Sequence, residues 1–87
     1  DTTFGLDFIN NLRPVEYRYK DRPEKKRFGL IAQEVKELLP DEPTNMWREE
    51  EGTQHLAYHE FIAPLIKAVQ ELTKKVEDQE KIIQRLI

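Results

Sequence analysis

LIKAVQELTKKVEDQEKIIQRLI, residues 65–87, decides how this 87-residue chain is built. Counted in sevens from Ile62, the residues Ile62, Val69, Val76 and Ile83 share one seam position, and Leu65, Leu72, Gln79 and Leu86 share the other. The spacing alternates three and four without a slip, the pattern of a helix that winds on partners rather than lying on one globular core. As a single helix the stretch is about 35 Å long at 1.5 Å per residue, too long for the rest of so short a chain to cover. The sequence therefore predicts an obligate oligomer with this helix as its axis. Ile or Val at the first seam position with Leu at the second is the preference of two-stranded parallel coils. Against that, Ile66, Ala68, Ile82 and Ile87 flank the seam and widen the apolar stripe, and Gln79 is a polar seam residue of the kind that sets register and strand number. Lys75 also stands five residues before the position of Glu80 on a parallel neighbour, an opposite-charge pairing that favours in-register packing. These features tilt the reading to a parallel trimer, with the dimer left open; the competing account has Ile66 and Ile82 packing on the chain's own globular part.

Length allows one domain at most, read as a small head over residues 1–63 continuous with the coiled-coil helix over 64–87. The head by itself has little core to rely on. Charged residues make up 36% of the chain, yet the net charge is only −3, so there is no strong bias toward nucleic acid or a membrane surface. No apolar run approaches the roughly 18 residues needed to span a bilayer, and no signal peptide is visible. Cysteine and serine are both absent. The opening Asp1-Thr2-Thr3 reads as the interior of a longer polypeptide.

Upstream, FGLDFINNL (4–12) places Phe4, Leu6, Ile9 and Leu12 near helical spacing, and Arg13-Pro14 ends that short helix because the residue before proline is pushed out of the helical region. VEYRYK (15–20) alternates Val15, Tyr17 and Tyr19 against charged residues, which predicts a strand with its aromatic face inward. DRPEKK (21–26) reads as a polar turn, and RFGLI (27–31) as the returning strand, with Gly29 marking a bulge or close backbone approach. IAQEVKELL (31–39) is a helix closed by Pro40, and residues 41–43 are loop. Residues 44–47 and 53–58 form a weak hairpin around REEEG (48–52), with Leu56 and Tyr58 inward and Trp47 opposite. The long helix begins near His59. Pro64 demands either a turn at 59–63 followed by a helix from Pro64, or a kinked continuous helix. The fold class is α+β: short helices and antiparallel hairpins followed by a long C-terminal helix.

Candidate chemistry is thin. His55 and His59 lie four apart beside Glu60, but they make a metal pair only if both sit on one helix; a strand is expected to end between them and no third ligand is evident, so no metal or cofactor is assigned. With no serine or cysteine, nucleophiles reduce to five threonines, none beside an obvious base. The chain taken alone is not read as an enzyme and has no catalytic residue. Residues 13–27 hold seven basic and three acidic side chains, interleaved with Tyr17 and Tyr19, whereas residues 34–60 hold eight acidic and two basic. A basic hairpin could bind phosphate or a polyanion; complementarity between the two segments, within or between subunits, is the preferred account.

Three motifs in order, LRPVEYRYK (12–20), FGLIAQEVKELLP (28–40) and LAYHEFIAPLIKAVQEL (56–72), resemble the C-terminal intramolecular chaperone domain of phage tail spikes, tail fibres and neck appendages, a domain also found in myelin regulatory factor. The Leu-Arg-Pro-Val-x-Tyr strand of that family is matched by Leu12, Arg13, Pro14 and Tyr17. Its Gly-x-Ile-Ala-Gln-Glu-Val segment is matched by Gly29, Ile31, Ala32, Gln33, Glu34 and Val35, followed by Leu39 and Pro40. A tyrosine ahead of an apolar helix is matched by Tyr58, and Ala-x-x-Glu-Leu by residues 68–72. The resemblance implies a homotrimeric folding aid that holds three upstream chains of a β-rich fibre in register and then cuts itself off, acting in the host cytoplasm during virion assembly and absent from the mature particle. In that family the cut uses a Ser-Asp-x-x-x-Lys motif ahead of the first helix. Without serine this sequence cannot contain the nucleophile, so either the motif precedes residue 1, the preferred reading, or this is a non-cleaving version. The alternative class is a non-catalytic oligomerisation or binding module that contacts a polyanion or partner protein through the hairpin at 13–27.

Overall fold

The computed structural model describes residues 2–39 and 44–87. It is α+β, with two separate two-stranded antiparallel hairpins and one long C-terminal helix. In order the elements are α1 (Leu6–Asn10), β1 (Val15–Tyr19), β2 (Arg22–Gly29), α2 (Ala32–Leu38), β3 (Trp47–Glu50), β4 (Thr53–Leu56), a 3₁₀ turn (Tyr58–Phe61) and α3 (Ile62–Leu86). The radius of gyration is 17.4 Å, against about 12 Å for a compact chain of this length. The excess comes from α3, whose 25 residues extend about 37 Å.

The core is small. Val35 of α2, Met46 ahead of β3 and Phe61 of the 3₁₀ turn are buried together, and Phe4, Phe8, Leu12, Leu30, Leu39 and Leu56 pack around them. Phe8 stacks at 6.3 Å from Phe61 and Phe4 lies 4.8 Å from Phe8, so α1 and the base of α3 close one side of the cluster. The Leu6 amide donates to Glu71 Oε1 at 3.3 Å, which fastens the start of α1 to the third turn of α3. On the other side α2 packs on β3 and β4, with Lys36 Nζ 4.4 Å from the centre of the Trp47 ring and the Trp47 indole N–H donating to Gln54 Oε1 at 2.9 Å.

Several expectations change. The 21–26 stretch is not a turn. β2 starts at Arg22 and runs through Pro23, so the turn shrinks to Lys20-Asp21, and the register slips between Tyr17↔Arg27 and Tyr19↔Arg22. Proline is tolerated there because both strands are edges and its missing N–H breaks no central ladder. The strand accordingly ends at Gly29, and residues 30–31 leave the sheet. The aromatic face of β1 does not point into a core: Tyr17 and Tyr19 are exposed, since among the described residues no second layer lies beneath this hairpin and alternation in a lone two-stranded sheet buries little. In the second hairpin the strands pair Trp47↔Leu56 through Glu50↔Thr53. Glu51 and Gly52 both carry positive φ, 49° and 81°, as a two-residue turn matched to strand twist requires. Leu56 faces the core, but Tyr58 has left the strand and is 51% exposed.

Pro64 is the third residue of α3 and is buried. Helix amides in the first turn have no intrahelical acceptor, so proline costs nothing there. Of the two geometries considered, the turn-then-helix form holds, with the helix starting two residues earlier than Pro64.

Candidate oligomerisation surface and motif junction

α3 buries only Pro64 and Ala68. The seam residues Ile62, Leu65, Val69, Leu72, Val76, Ile83 and Leu86 are between 46% and 82% exposed, and Gln79 is exposed among them. Ile66 and Ile82 are exposed as well, so neither packs on the chain's own head. Ala68 does: it is 5% exposed, covered where α1 packs against α3, and it drops out of the widened stripe. The helix thus presents an apolar band along its length that the chain leaves uncovered. Leu65 also lines a groove of about 400 Å³ with Ile9, Leu12, Pro14, Phe28 and Tyr58, which extends the apolar surface from the helix onto the head.

The motif residues meet at two places. Arg13, just after α1, donates from Nε to Glu34 Oε1 at 3.0 Å and from Nη2 to Glu34 Oε2 at 2.6 Å. This two-pronged pair lowers the Glu34 pKa through the hydrogen bond and the charge of Arg13, and raises that of Arg13 in return. It joins the end of the first motif to the middle of the second. Ile31 caps α2, its carbonyl accepting the amides of Glu34 and Val35, while Val35 is the most buried side chain, at 1%. Ala32 is half-buried, Gln33 exposed and Leu39 half-buried on the core; Pro40 lies outside the described residues.

The second meeting point is Gly29. A Cβ there would stand 2.8 Å from Tyr58 Oη and 3.3 Å from Tyr17 Cε1, and the Leu30 amide donates to the same Tyr58 hydroxyl at 3.2 Å. Glycine is needed because two tyrosines close over it. Tyr17 meets Tyr19 edge-on at 5.6 Å, side-chain hydrogen bonding with Tyr19 raises the Tyr17 pKa, and Arg27 lies 5.0 Å from the Tyr19 ring centre. Sequence reasoning missed Met46 altogether; a methionine among polar residues carries no periodic signal, and only the α2–hairpin packing reveals it.

His55 is on β4 opposite Arg48, and His59 is in the 3₁₀ turn with Nε2 3.6 Å from Glu60 Oε1. The two do not share a helix, and no group of three metal-ligating side chains occurs among the described residues. Complementarity between the basic and acidic segments is realised within the chain, among the described residues, by Arg13–Glu34 alone; Lys26–Glu16 and Arg48–Glu50 are internal to their hairpins. No helix among the described residues is long and apolar enough to cross a membrane.

Residues 1–42 match the family described as chaperone of endosialidase. Over that segment the chain is similar to the intramolecular chaperone family. The match takes in the first two motifs and stops before Tyr58, which the structure nonetheless ties to the matched part through Gly29 and Leu30. No curated protein and no solved structure matches the chain. The family match supports a chaperone role.

Proposed function

We propose that this chain is a trimerising intramolecular chaperone domain, in which three copies of α3 wind in parallel through Ile62, Leu65, Val69, Leu72, Val76, Gln79, Ile83 and Leu86 and so align three upstream chains of a β-rich fibre or spike. The observation that carries the reading is the uncovered apolar band on α3. Exposed apolar area of that extent marks an interaction surface, and its unbroken heptad spacing is that of a coil. The chaperone family match over residues 1–42 supports the role of the head.

The physical logic follows from the cost of non-local folding. Intertwined β-structure must close long loops before its contacts form, so it folds slowly and risks misregistration. A helical coil assembles from local contacts, and once formed it raises the effective concentration of the three tethered chains to roughly millimolar. Register then precedes pairing. The domain acts in the host cytoplasm during assembly and is released afterwards. Release by a Ser-Asp-x-x-x-Lys motif would draw its serine from outside these residues, since this chain has no serine.

Sedimentation equilibrium tests the proposal. The expected mass is three times the 10.4 kDa of the chain; a monomer or a stable dimer across the micromolar range overturns it.

A further inference from the structure

The β1–β2 hairpin stands alone. Among the described residues no other element packs on either face of its sheet, and it is anchored at its root, where Tyr58 reaches Gly29 and Leu30. From Val15 to Gly29 it carries six basic side chains, Arg18, Lys20, Arg22, Lys25, Lys26 and Arg27, against three acidic. Among the described residues, no carboxylate of the 34–60 segment reaches any of these six; Lys26 alone is in an ion pair, with Glu16 at 3.4 Å. The tip of the β3–β4 hairpin is the converse: Glu49, Glu50 and Glu51 are all exposed, and among the described residues only Glu50 has a cation, Arg48 at 3.0 Å. Both hairpins are rooted at the same end of α3: β1–β2 is held by Tyr58 of the 3₁₀ turn that leads into α3, and β3–β4 runs through Ala57 directly into that turn. Parallel coiling places the heads of all copies at one level on the axis.

We infer that the basic β1–β2 hairpin is a clasp that docks on the acidic β3–β4 tip of a neighbouring copy of this chain. The inference rests on the trimeric reading above and adds to it a second, electrostatic contact set. In a threefold ring the arm of each copy meets the tip of the next, so three identical head-to-tail contacts close on themselves. Arg27 and the exposed tyrosines of the arm are residue types enriched at interfaces, and Tyr17 and Tyr19 supply hydroxyl donors for carboxylates. Complementary charge at that level guides encounter and rejects like-charged alignments, which is the task of a register-setting domain.

Charge reversal in two variants tests this. One carries Lys20→Glu, Arg22→Glu and Lys25→Glu in the arm; the other carries Glu49→Lys, Glu50→Lys and Glu51→Lys at the tip, both checked for retained helix by circular dichroism. Sedimentation at low salt is expected to show each variant trimerising roughly tenfold or more weakly than the unmodified chain, and the deficit is expected to shrink near 1 M salt. Mixing the two variants is expected to restore assembly in part, because in a mixed ring of three two arm–tip contacts become complementary while the third still joins like charges; a contact within one chain cannot be restored by mixing. If both variants trimerise as tightly as the unmodified chain, or mixing restores nothing, the clasp is wrong while the trimer stands. An arm variant that assembles normally but loses binding to heparin shown by the unmodified chain makes the hairpin a polyanion site and also overturns the clasp. An unmodified chain that is not trimeric overturns both readings.

Discussion

Gly29, held between Tyr17 and Tyr58, is where single-residue changes are most informative. Gly29→Ala puts a methyl 2.8 Å from Tyr58 Oη and is expected to cost about 1–2 kcal/mol, the range of a forced shift in a packed site. Tyr58→Phe removes the acceptor of the Leu30 amide and costs about 0.5–1 kcal/mol, toward the low end because water can replace it at an exposed position. With the hydroxyl gone, the nearest Tyr58-derived atom to the new methyl is the ring carbon at 3.8 Å. The double variant is therefore expected to lose less than the sum of the two single losses in a urea-unfolding cycle; strict additivity would show that Tyr58 does not close over Gly29. Arg13 and Glu34 make a pH-dependent prediction. Glu34 has a folded pKa below its unfolded value, through its hydrogen bonds and charge pairing with Arg13. Its contribution to stability is thus fully present above the unfolded value of about 4.3 and is lost as pH falls through the folded pKa, with Arg13 charged throughout. Arg13→Gln is expected to be less stable than the unmodified chain at pH 7, with the gap in denaturation midpoint narrowing below about pH 4. An unchanged gap at pH 3 would show that the pair contributes no electrostatic stability.

At the scale of elements, α3 is the test of the proposed coil. Its N-cap residue, Phe61, makes no side-chain capping bond, and its first turn carries no acidic residue. Beyond the region where α1 covers it, a helix this exposed holds poorly in isolation, because most helical stability in water comes from packing an amphipathic face. Val69→Asp or Ile83→Asp places a charge in the seam and is expected to dissociate the assembly and remove most of the helical signal, read by sedimentation and circular dichroism together. A variant that stays trimeric and helical means the seam runs along another face. The two hairpins show the opposite dependence. β3–β4 is braced by α2, whereas β1–β2 has only its root, so its Pro23 and its register slip are tolerated as features of an unpaired edge.

For the whole molecule, the balance is between a head with three residues in its buried cluster among the described residues and a helix whose apolar side faces outward. A core of that size contributes little net stability at this chain length, so folding of the head and association of α3 are expected to be linked. Thermal unfolding should then depend on protein concentration, the midpoint rising with each tenfold increase by mass action. A midpoint constant over two orders of magnitude in concentration would show a head that is stable by itself and a helix that is only an appendage.

Residues 62–86 could be recognised as a helix from sequence because the evidence is local: seven-residue spacing, good helix formers and a proline where the first turn accepts one. The same holds for α1, α2 and the permissive turn position at Gly52, where backbone conformation follows from neighbours in the chain, although the turn read over 48–52 narrows to Glu51-Gly52 because β3 runs to Glu50. The Arg-Pro and Gly-x-Ile-Ala-Gln-Glu-Val motifs were legible for the same reason, and both lie within the residues 1–42 that match the family. What periodicity states is which residues share a face, not what covers that face. That Tyr17 and Tyr19 face outward, that Ala68 lies beneath α1, that Met46 joins Val35 and Phe61, and that Tyr58 returns to Gly29 were all decided by tertiary packing, which sets elements distant in sequence side by side. For residues 65–87 the division is the same. Their spacing determined a helix with one apolar side, and only the folded chain, with α1 taking Ala68 and leaving the seam bare, decided which part of that side remains free for partners.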